Sequence, residues 1–164
     1  MDLPHKVGTL LYFFDENDEL LLMERKKDPN KGLWSPPGGK VNTHLGESPF
    51  DGALREAEEE TGMRLKASEL HLAGFLSEEA YEASAHWYIF LFEVKIRLPH
   101  IPPPHPEGFF KVFPQHQLLE LNIPETDRKI IYPLLFKHRG GFFSAHCKCQ
   151  PDNVFDWTTQ QIIK

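Results

Sequence analysis

One short predicted helix carries more negative charge than a helix surface normally tolerates. Glu56, Glu59 and Glu60 stand at helical spacings of three and four, so their carboxylates share one face and repel by about a few tenths of a kcal/mol per pair. From Glu47 to Glu60 the chain has six acids and one base, Arg55. Such a cluster is kept most readily when a cation binds it, and carboxylate oxygens suit hard divalent ions such as Mg²⁺ or Mn²⁺.

Strong signals mark both ends of this helix. Ser48 suits the N-cap, Pro49 the first helical position, and Asp51 completes a capping pattern. Gly62 is placed to take the left-handed conformation that ends the last turn. The apolar residues at helical spacing predict a buried face that is distinct from the acidic one: Phe50, Ala53, Leu54 and Ala57.

Apolar and aromatic runs elsewhere predict a sheet. The predicted strands cover residues 5–14, 20–23, 71–78, 86–97 and 109–113. The turn Asp15–Asp18 joins the first two strands, which we interpret as a hairpin. A helix is predicted over 127–137, where Pro133 should kink it or mark a boundary. After it we identify a Gly140-Gly141 break followed by two phenylalanines. Strands with interspersed helices indicate a mixed α/β sandwich.

Size and charge limit the classes of function. The 164 residues favour a single domain over 1–164. The net charge of −6 argues against broad contact with nucleic acid or membranes. A small phosphorylated substrate stays possible, because a bound metal inverts the local field. The sequence gives no indication of the oligomeric state.

The cellular compartment is predicted from the cysteines and from hydropathy. The polar N-terminal residues predict no signal peptide, and no run of 18 apolar residues predicts a membrane span. We expect Cys147 and Cys149 to be free thiols, which fits the cytoplasm. His146-Cys147-Lys148-Cys149 lacks the ligand spacing of a zinc site, so we expect no zinc there.

The segment from Gly39 to Met63 resembles the signature of the Nudix hydrolases, G-x5-E-x7-R-E-U-x-E-E-x-G-U, in which U is a bulky aliphatic residue. The positions that match in register are Glu47, Arg55, Glu56, Glu59, Glu60, Gly62 and Met63. One departure is that seven residues, not five, separate Gly39 from Glu47. The loop around 41–45 is therefore two residues longer than the signature requires, a change that loops tolerate at small cost.

The resemblance implies a Nudix α/β/α sandwich with a mixed β-sheet, and hydrolysis of a diphosphate linked to another moiety. It also implies that Mg²⁺ or Mn²⁺ binds to the carboxylate helix. By motif position the metal ligands would be Glu56, Glu59 and Glu60, with the Gly38 carbonyl as a further ligand. Arg55 would orient the carboxylates by bidentate hydrogen bonding, and Glu47 would support the loop from behind them.

The general base varies within the family. Glu56 is our first candidate for it and Glu107 the second, because Nudix enzymes often use a downstream glutamate as a ligand or base. Lys40, next to the two glycines, is a candidate phosphate contact.

A wider similarity connects the chain to the MutT-like enzymes that hydrolyse oxidised purine nucleoside triphosphates. It is carried by 26–41, by 124–135 and by 141–143. By this match Asp127 would contact the base and Trp34 would flank it. Ser35 stands where those enzymes have an amide residue, which leaves the base selectivity open.

The sequence therefore predicts a magnesium-dependent Nudix enzyme that binds a small nucleotide. The first substrate candidate is a nucleoside triphosphate, including an oxidised purine such as 8-oxo-dGTP, cleaved to a monophosphate and pyrophosphate. The alternative within the class is an ADP-ribose or nucleotide-sugar pyrophosphatase. An alternative of another class is a non-catalytic nucleotide-binding module, which would have no need of the intact carboxylates.

Overall fold

The computed structural model describes residues 2–28, 30–151 and 154–164. Within these residues nine strands form two sheets. The strands are β1 (His5–Tyr12), β2 (Leu20–Arg25), β3 (Trp34–Ser35), β4 (Gly38–Lys40), β5 (Leu70–Tyr81), β6 (Ala85–Val94), β7 (Gly108–Phe113), β8 (Phe142–Gln150) and β9 (Val154–Ile163).

The larger sheet is mixed and has the strand order β4-β1-β6-β5-β8-β9. The β1–β6 and β5–β8 pairs are parallel, and the remaining pairs in this sheet are antiparallel. The smaller sheet is antiparallel, with the order β3-β2-β7. Because β1 runs beside β6 at the centre of the larger sheet, its residues lie next to both β4 and β6.

The main helix begins and ends where the sequence predicts. Helix α1 (Pro49–Thr61) has Ser48 as its N-cap, whose Oγ accepts a hydrogen bond from the Asp51 N–H at 3.0 Å. Gly62 follows the helix with φ 77°. The other helical elements are α2 (Gln115–Leu118), a π-helical turn (Asp127–Ile131), α3 (Tyr132–Lys137) and 3₁₀ turns at Thr43–Leu45 and Ala67–Glu69.

Two buried clusters place the strands between helical layers. Leu20 and Leu22 of β2 pack in the cluster that contains Ile130 and residues of α3. Leu21 and Met23 point the other way, into the cluster that contains Ala53 and Ala57 of α1. All of Leu20–Met23 is buried because both faces of the strand are covered. The predicted α/β/α sandwich with a mixed sheet is confirmed.

The predicted hairpin between residues 5–14 and 20–23 is wrong. Within the described residues the two segments share a single bridge, Phe14 with Leu20, and a hydrogen bond from the Leu21 N–H to the Phe13 carbonyl at 2.9 Å. Beyond this contact the two strands belong to different sheets: β1 pairs with β4 and β6, and β2 pairs with β3 and β7. Both strands are apolar on both faces, so their side chains carry no local signal for the partner, which is decided by pairing with distant strands.

The strands after residue 141 were not identified from the sequence: β8 and β9 extend the larger sheet. In β8 every second side chain is buried: Phe143, Ala145 and Cys147. The small and polar residues between them weaken this alternation in the sequence. Most described side chains of β9 are exposed, so apolar periodicity could not reveal this strand. Cys147 and Cys149 are free thiols, as predicted, with their Sγ atoms 3.7 Å apart.

None of the helices in the described ranges is both long enough and apolar enough to cross a membrane.

Candidate active site

A cavity of about 480 Å³ opens between the two sheets, α1 and the segment before α3. Glu56 and Glu60 of α1 line it, as does Glu107, which precedes β7. Two further carboxyls, Glu78 on β5 and Asp127 at the start of the π-helical turn, also line it. Asp28, which follows β2, lines it as well, so the cavity wall contains acidic groups from five separate parts of the chain.

Two of the three carboxylates on the predicted acidic face of α1 are buried. Glu56 and Glu60 are 9% and 6% exposed, whereas Glu59 is exposed. Burial raises the pKa of Glu60 to about 8, and the nearby charge of Glu56 adds to that effect. Burial also raises the pKa of Glu56, with Arg55 opposing it and the charges of Glu59 and Glu107 adding to it. Carboxylates buried side by side in this way attract a cation.

Arg55 connects these carboxylates to the loop before α1. Its Nε and Nη2 donate to Oε2 and Oε1 of Glu47 at 2.8 and 2.9 Å. Its Nη1 donates to Glu56 Oε1 at 2.9 Å and to Glu59 Oε2 at 3.2 Å, and its Nη2 also reaches the Lys40 carbonyl at 3.0 Å. The Arg55 hydrogen bond holds the pKa of Glu47 at about 2, so Glu47 stays ionised as the partner of the guanidinium.

The longer loop leaves this arrangement intact. The extra residues form the 3₁₀ turn Thr43–Leu45, which projects into solvent, and Leu45 is 74% exposed. The Asn42 N–H donates to Glu47 Oε1 at 3.0 Å, and the Glu47 N–H donates to the Asn42 carbonyl at 3.2 Å. The insertion is therefore closed off at its base before the chain enters α1.

Two glycines let the backbone of β4 approach the carboxylates. The Gly38 N–H donates to Glu60 Oε2 at 3.2 Å. A Cβ at Gly38 would collide with the Thr9 carbonyl oxygen, and a Cβ at Gly39 would collide with the Glu56 carboxylate. Neither position has room for a side chain, so β4 forms a close backbone wall beside the acidic residues.

The donor set fits Mg²⁺ in an open site. Among the residues that the structure describes, no three acidic, histidine or cysteine side chains form a ready-made ligand set. The exposed Glu59 is held by Arg55, while Glu56 and Glu60 face the cavity. Mg²⁺ is usually bound by one or two carboxylates, with waters and substrate phosphates completing its shell. Glu56 and Glu60 would supply that pair, and Glu107 is close enough for its charge to raise the pKa of both.

The predicted substrate residues divide into two groups. Lys40 and Asp127 line the cavity, Lys40 exposed and Asp127 buried. Trp34 packs instead on Phe113 and Phe109, with ring centroids 5.0 and 6.4 Å away, and it is not part of the cavity wall. Trp34 and Ser35 are adjacent in β3 and point to opposite faces, so Ser35 lines the cavity while Trp34 packs against the buried cluster that contains Phe113.

The sequence interpretation missed several residues of the cavity wall, among them Glu78, Tyr81 and Trp87. Glu78 is 4% exposed and lies on the same face of β5 as the fully buried Leu76. An acid in phase with buried apolar residues is the signal that could have identified it. Trp87 could not be distinguished from the other aromatic residues of β6, since the sequence does not show which of them ends beside β1.

Comparison with known proteins gives a family match. A model of the NUDIX domain matches residues 4–134. The chain is 39% identical over 77 residues to the m7GpppN-mRNA hydrolase NUDT17 of Xenopus laevis, covering 46% of this chain and 25% of that protein. It is 42% identical over 55 residues to a putative 8-oxo-dGTP diphosphatase of Bacillus subtilis, covering 34% of each. The matched segments span less than half the length of these curated relatives.

A solved structure resembles a larger part of the chain. The mutator MutT protein of Bacillus halodurans superposes with a TM-score of 0.75 at 25% identity, covering 94% of this chain and 97% of that one. The NUDIX domain of Shewanella oneidensis NrtR, solved with ADP ribose, has a TM-score of 0.64 at 17% identity, covering 84% of this chain and 88% of that one. At that identity the second likeness shows the fold alone.

Proposed function

The chain belongs to the Nudix family, and on that premise we propose that it hydrolyses a phosphoric anhydride bond of a nucleotide with the help of a divalent metal ion. The observation that carries this proposal is the pair Glu56 and Glu60, buried beside each other in a cavity large enough for a nucleotide. A binding module without chemistry would gain nothing from this repulsion.

The residues of α1 have separate roles in this proposal. Glu56 and Glu60 hold the cation, assisted by the backbone of Gly38 and by Glu107. Arg55 fixes the direction of the Glu56 carboxylate through its Nη1, and Glu47 fixes Arg55 in turn. When bound, Mg²⁺ supplies positive charge that stabilises the phosphate oxygens as the anhydride bond breaks.

Proton transfer and phosphate binding fall to residues that face the same cavity. Glu56 is our first candidate to take the proton of the attacking water, and Glu107 is the second. In this proposal Lys40, which is exposed at the cavity, binds a phosphate oxygen. Asp127, a buried residue of the cavity wall, contacts the base in this proposal.

We propose a nucleoside triphosphate as the substrate class, with oxidised purines such as 8-oxo-dGTP first among them and a monophosphate and pyrophosphate as products. The fold match to a MutT protein and the similarity to a putative 8-oxo-dGTP diphosphatase support this choice. ADP-ribose is the second candidate, because the NrtR domain that shares the fold was solved with that ligand. We also propose that residues 1–164 work as one domain, in a reducing compartment such as the cytoplasm, where Cys147 and Cys149 persist as thiols.

A substrate panel tests the proposal. The protein is incubated with Mg²⁺ and with nucleoside triphosphates, 8-oxo-dGTP, ADP-ribose, nucleotide sugars or m7GTP, and the products are separated by chromatography. We expect metal-dependent release of a nucleoside monophosphate, abolished by EDTA and restored by added Mg²⁺. If no compound is hydrolysed with either Mg²⁺ or Mn²⁺, the proposed activity is contradicted. If the enzyme prefers ADP-ribose, ADP-ribose replaces a nucleoside triphosphate as the proposed substrate.

A further inference from the structure

Glu78 is a buried carboxyl that the hydrolytic chemistry does not use. It lies on β5, away from α1, is 4% exposed and lines the cavity. Its neighbour along the strand on the same face, Leu76, is fully buried. An apolar residue would be the ordinary occupant of this position, since a buried carboxyl is costly unless it has a partner.

The protein itself compensates Glu78 poorly. Cys149 Sγ donates a long hydrogen bond to Glu78 Oε2, at 3.8 Å. A thiol is a weak donor, so this contact stabilises the carboxyl little. The groups that act most strongly on its pKa, after burial, are Cys149, Asp127 and Glu82, and each raises it. Glu78 is therefore held in an acidic environment that disfavours its charge.

Two further polar side chains of the cavity wall, Asp127 and Ser35, are buried. Asp127 is 5% exposed, and burial raises its pKa to about 7. Ser35 Oγ, also in the cavity wall, has no hydrogen-bond partner among the described residues. Buried polar groups without partners point to a polar ligand that supplies them.

We propose that Glu78, with Asp127, binds the exocyclic amino group of the nucleobase and makes the enzyme selective for amino-bearing bases. A carboxyl oxygen accepts an N–H in either protonation state, and a neutral carboxyl also donates its O–H to an adjacent ring nitrogen or carbonyl. The aromatic side chains of Trp87 and Tyr81 in the same wall provide apolar surface for a ring. This inference rests on the proposed function, because it assigns the base-binding part of the same cavity.

The expected selectivity follows from the cost of an unpaired buried carboxyl. A base whose amino group is missing would leave Glu78 without its partner. A site built to hydrogen-bond a substrate group rejects the analogue that lacks it. We therefore expect kcat/KM to favour an amino-bearing substrate over its amino-less analogue by on the order of 10-fold or more.

Pairs of substrates that differ in the amino group test this directly. The pairs are dGTP with dITP, and dATP with the 2′-deoxyribosyl purine triphosphate that lacks the 6-amino group. The 8-oxo forms of guanine and hypoxanthine nucleotides form a third pair. The ratio of kcat/KM between the two members of each pair is measured with the wild-type enzyme alone. Equal kcat/KM within all three pairs would overturn the proposal even if the hydrolase activity is confirmed.

Variants assign any preference to Glu78. Glu78→Met removes the acceptor but keeps an unbranched side chain, and we expect it to lower the ratio to near 1 by raising KM for the amino-bearing member. Glu78→Gln keeps an acceptor oxygen and should retain most of the ratio. Glu79→Gln is the matched control, since Glu79 follows on the opposite face of β5 and lies 3.7 Å from His146. An unchanged ratio in Glu78→Met would overturn the assignment.

A binding measurement separates this inference from the activity. The thermal shift produced by GMP is compared with that of IMP, and AMP with purine riboside monophosphate, in wild type and in Glu78→Gln and Glu78→Met. We expect the amino-bearing member to stabilise the wild type more, and that advantage to disappear in Glu78→Met. If no nucleotide is hydrolysed but this pattern of thermal shifts is observed, the proposed activity is contradicted and the proposed base contact of Glu78 is supported. If Glu78 only bonds Cys149, the variants change the melting temperature but not the difference between the ligands.

Discussion

Arg55 binds both carboxylate oxygens of Glu47, Nε to Oε2 at 2.8 Å and Nη2 to Oε1 at 2.9 Å. This bidentate pair ties α1 to the loop before it and leaves Arg55 Nη1 to reach Glu56 at 2.9 Å. Glu47 therefore acts on the cavity through Arg55, and the direction of the Glu56 carboxylate depends on a residue that does not line the cavity.

The first prediction concerns this pair. Arg55→Lys keeps the charge but loses the planar fork, so Glu56 loses its fixed direction. We expect the Mg²⁺ concentration for half-maximal activity to rise about 10- to 100-fold, the usual effect of removing a residue that orients a ligand. Arg64→Lys is the control, because Arg64 forms an exposed pair with Glu58 at 3.0 Å. Equal Mg²⁺ dependence in both variants would contradict the orienting role.

The second prediction concerns the buried carboxylates. Glu60→Gln removes one charge of the proposed metal site, and we expect kcat to fall by on the order of 10²-fold or more. Without metal and above pH 8, where Glu60 is ionised, the melting temperature of the variant should be higher than that of the wild type, because the repulsion with Glu56 is relieved. Glu58→Gln, on the exposed side of α1, is the control. Turnover of Glu60→Gln at the wild-type rate would exclude the metal role.

The sequence predicts best what is encoded locally. The N-cap at Ser48, the end of α1 at Gly62 and the register of Glu56 with Glu60 all depend on neighbours within a few residues, and the structure confirms the helix and its ends. The partner of β2 and the path of β8 depend on contacts with distant strands. Local apolar patterns cannot determine these, which is why the hairpin was predicted wrongly and β8 was missed.

The same distinction applies to the cavity. The α1 residues were identified from their spacing, whereas Glu78 enters the cavity because β5 lies between β6 and β8. Trp34 was expected there because of its position in the chain, but its ring packs on Phe113 instead. Which aromatic residue faces a cavity is decided by strand pairing, and Trp87, on β6, occupies the wall.

The third prediction links metal binding to stability. Mg²⁺ should raise the melting temperature of the wild type, because it binds the folded helix better than the unfolded chain. Glu56→Ala combined with Glu60→Ala should abolish that rise, which differential scanning fluorimetry at several Mg²⁺ concentrations would measure. An equal rise in the double variant would place the metal elsewhere in the protein.

The fourth prediction concerns the N-cap of α1. Ser48→Ala removes the hydrogen bond from the Asp51 N–H to Ser48 Oγ, so one N–H of the first turn loses its partner. We expect the free energy of unfolding to fall by roughly 1 kcal/mol. Ser68→Ala, at an exposed position in a 3₁₀ turn, should change it little. Chemical denaturation of both variants tests the difference, and equal losses would mean that the cap contributes nothing specific.

The last prediction concerns Asp127 and pH. Burial raises its pKa from 3.8 to about 7, so between those values the folded state binds more protons than the unfolded chain. Its contribution to stability therefore falls as pH rises from about 4 to 7, by on the order of 2–4 kcal/mol. Asp127→Asn removes this ionisation, and we expect its melting temperature relative to wild type to be several degrees higher at pH 8 than at pH 5. Glu78, Tyr12 and Tyr132, which share its surroundings, are the same in both proteins, so their titration largely cancels in the difference. A difference that is the same at both pH values would show that Asp127 is ionised in the folded protein throughout.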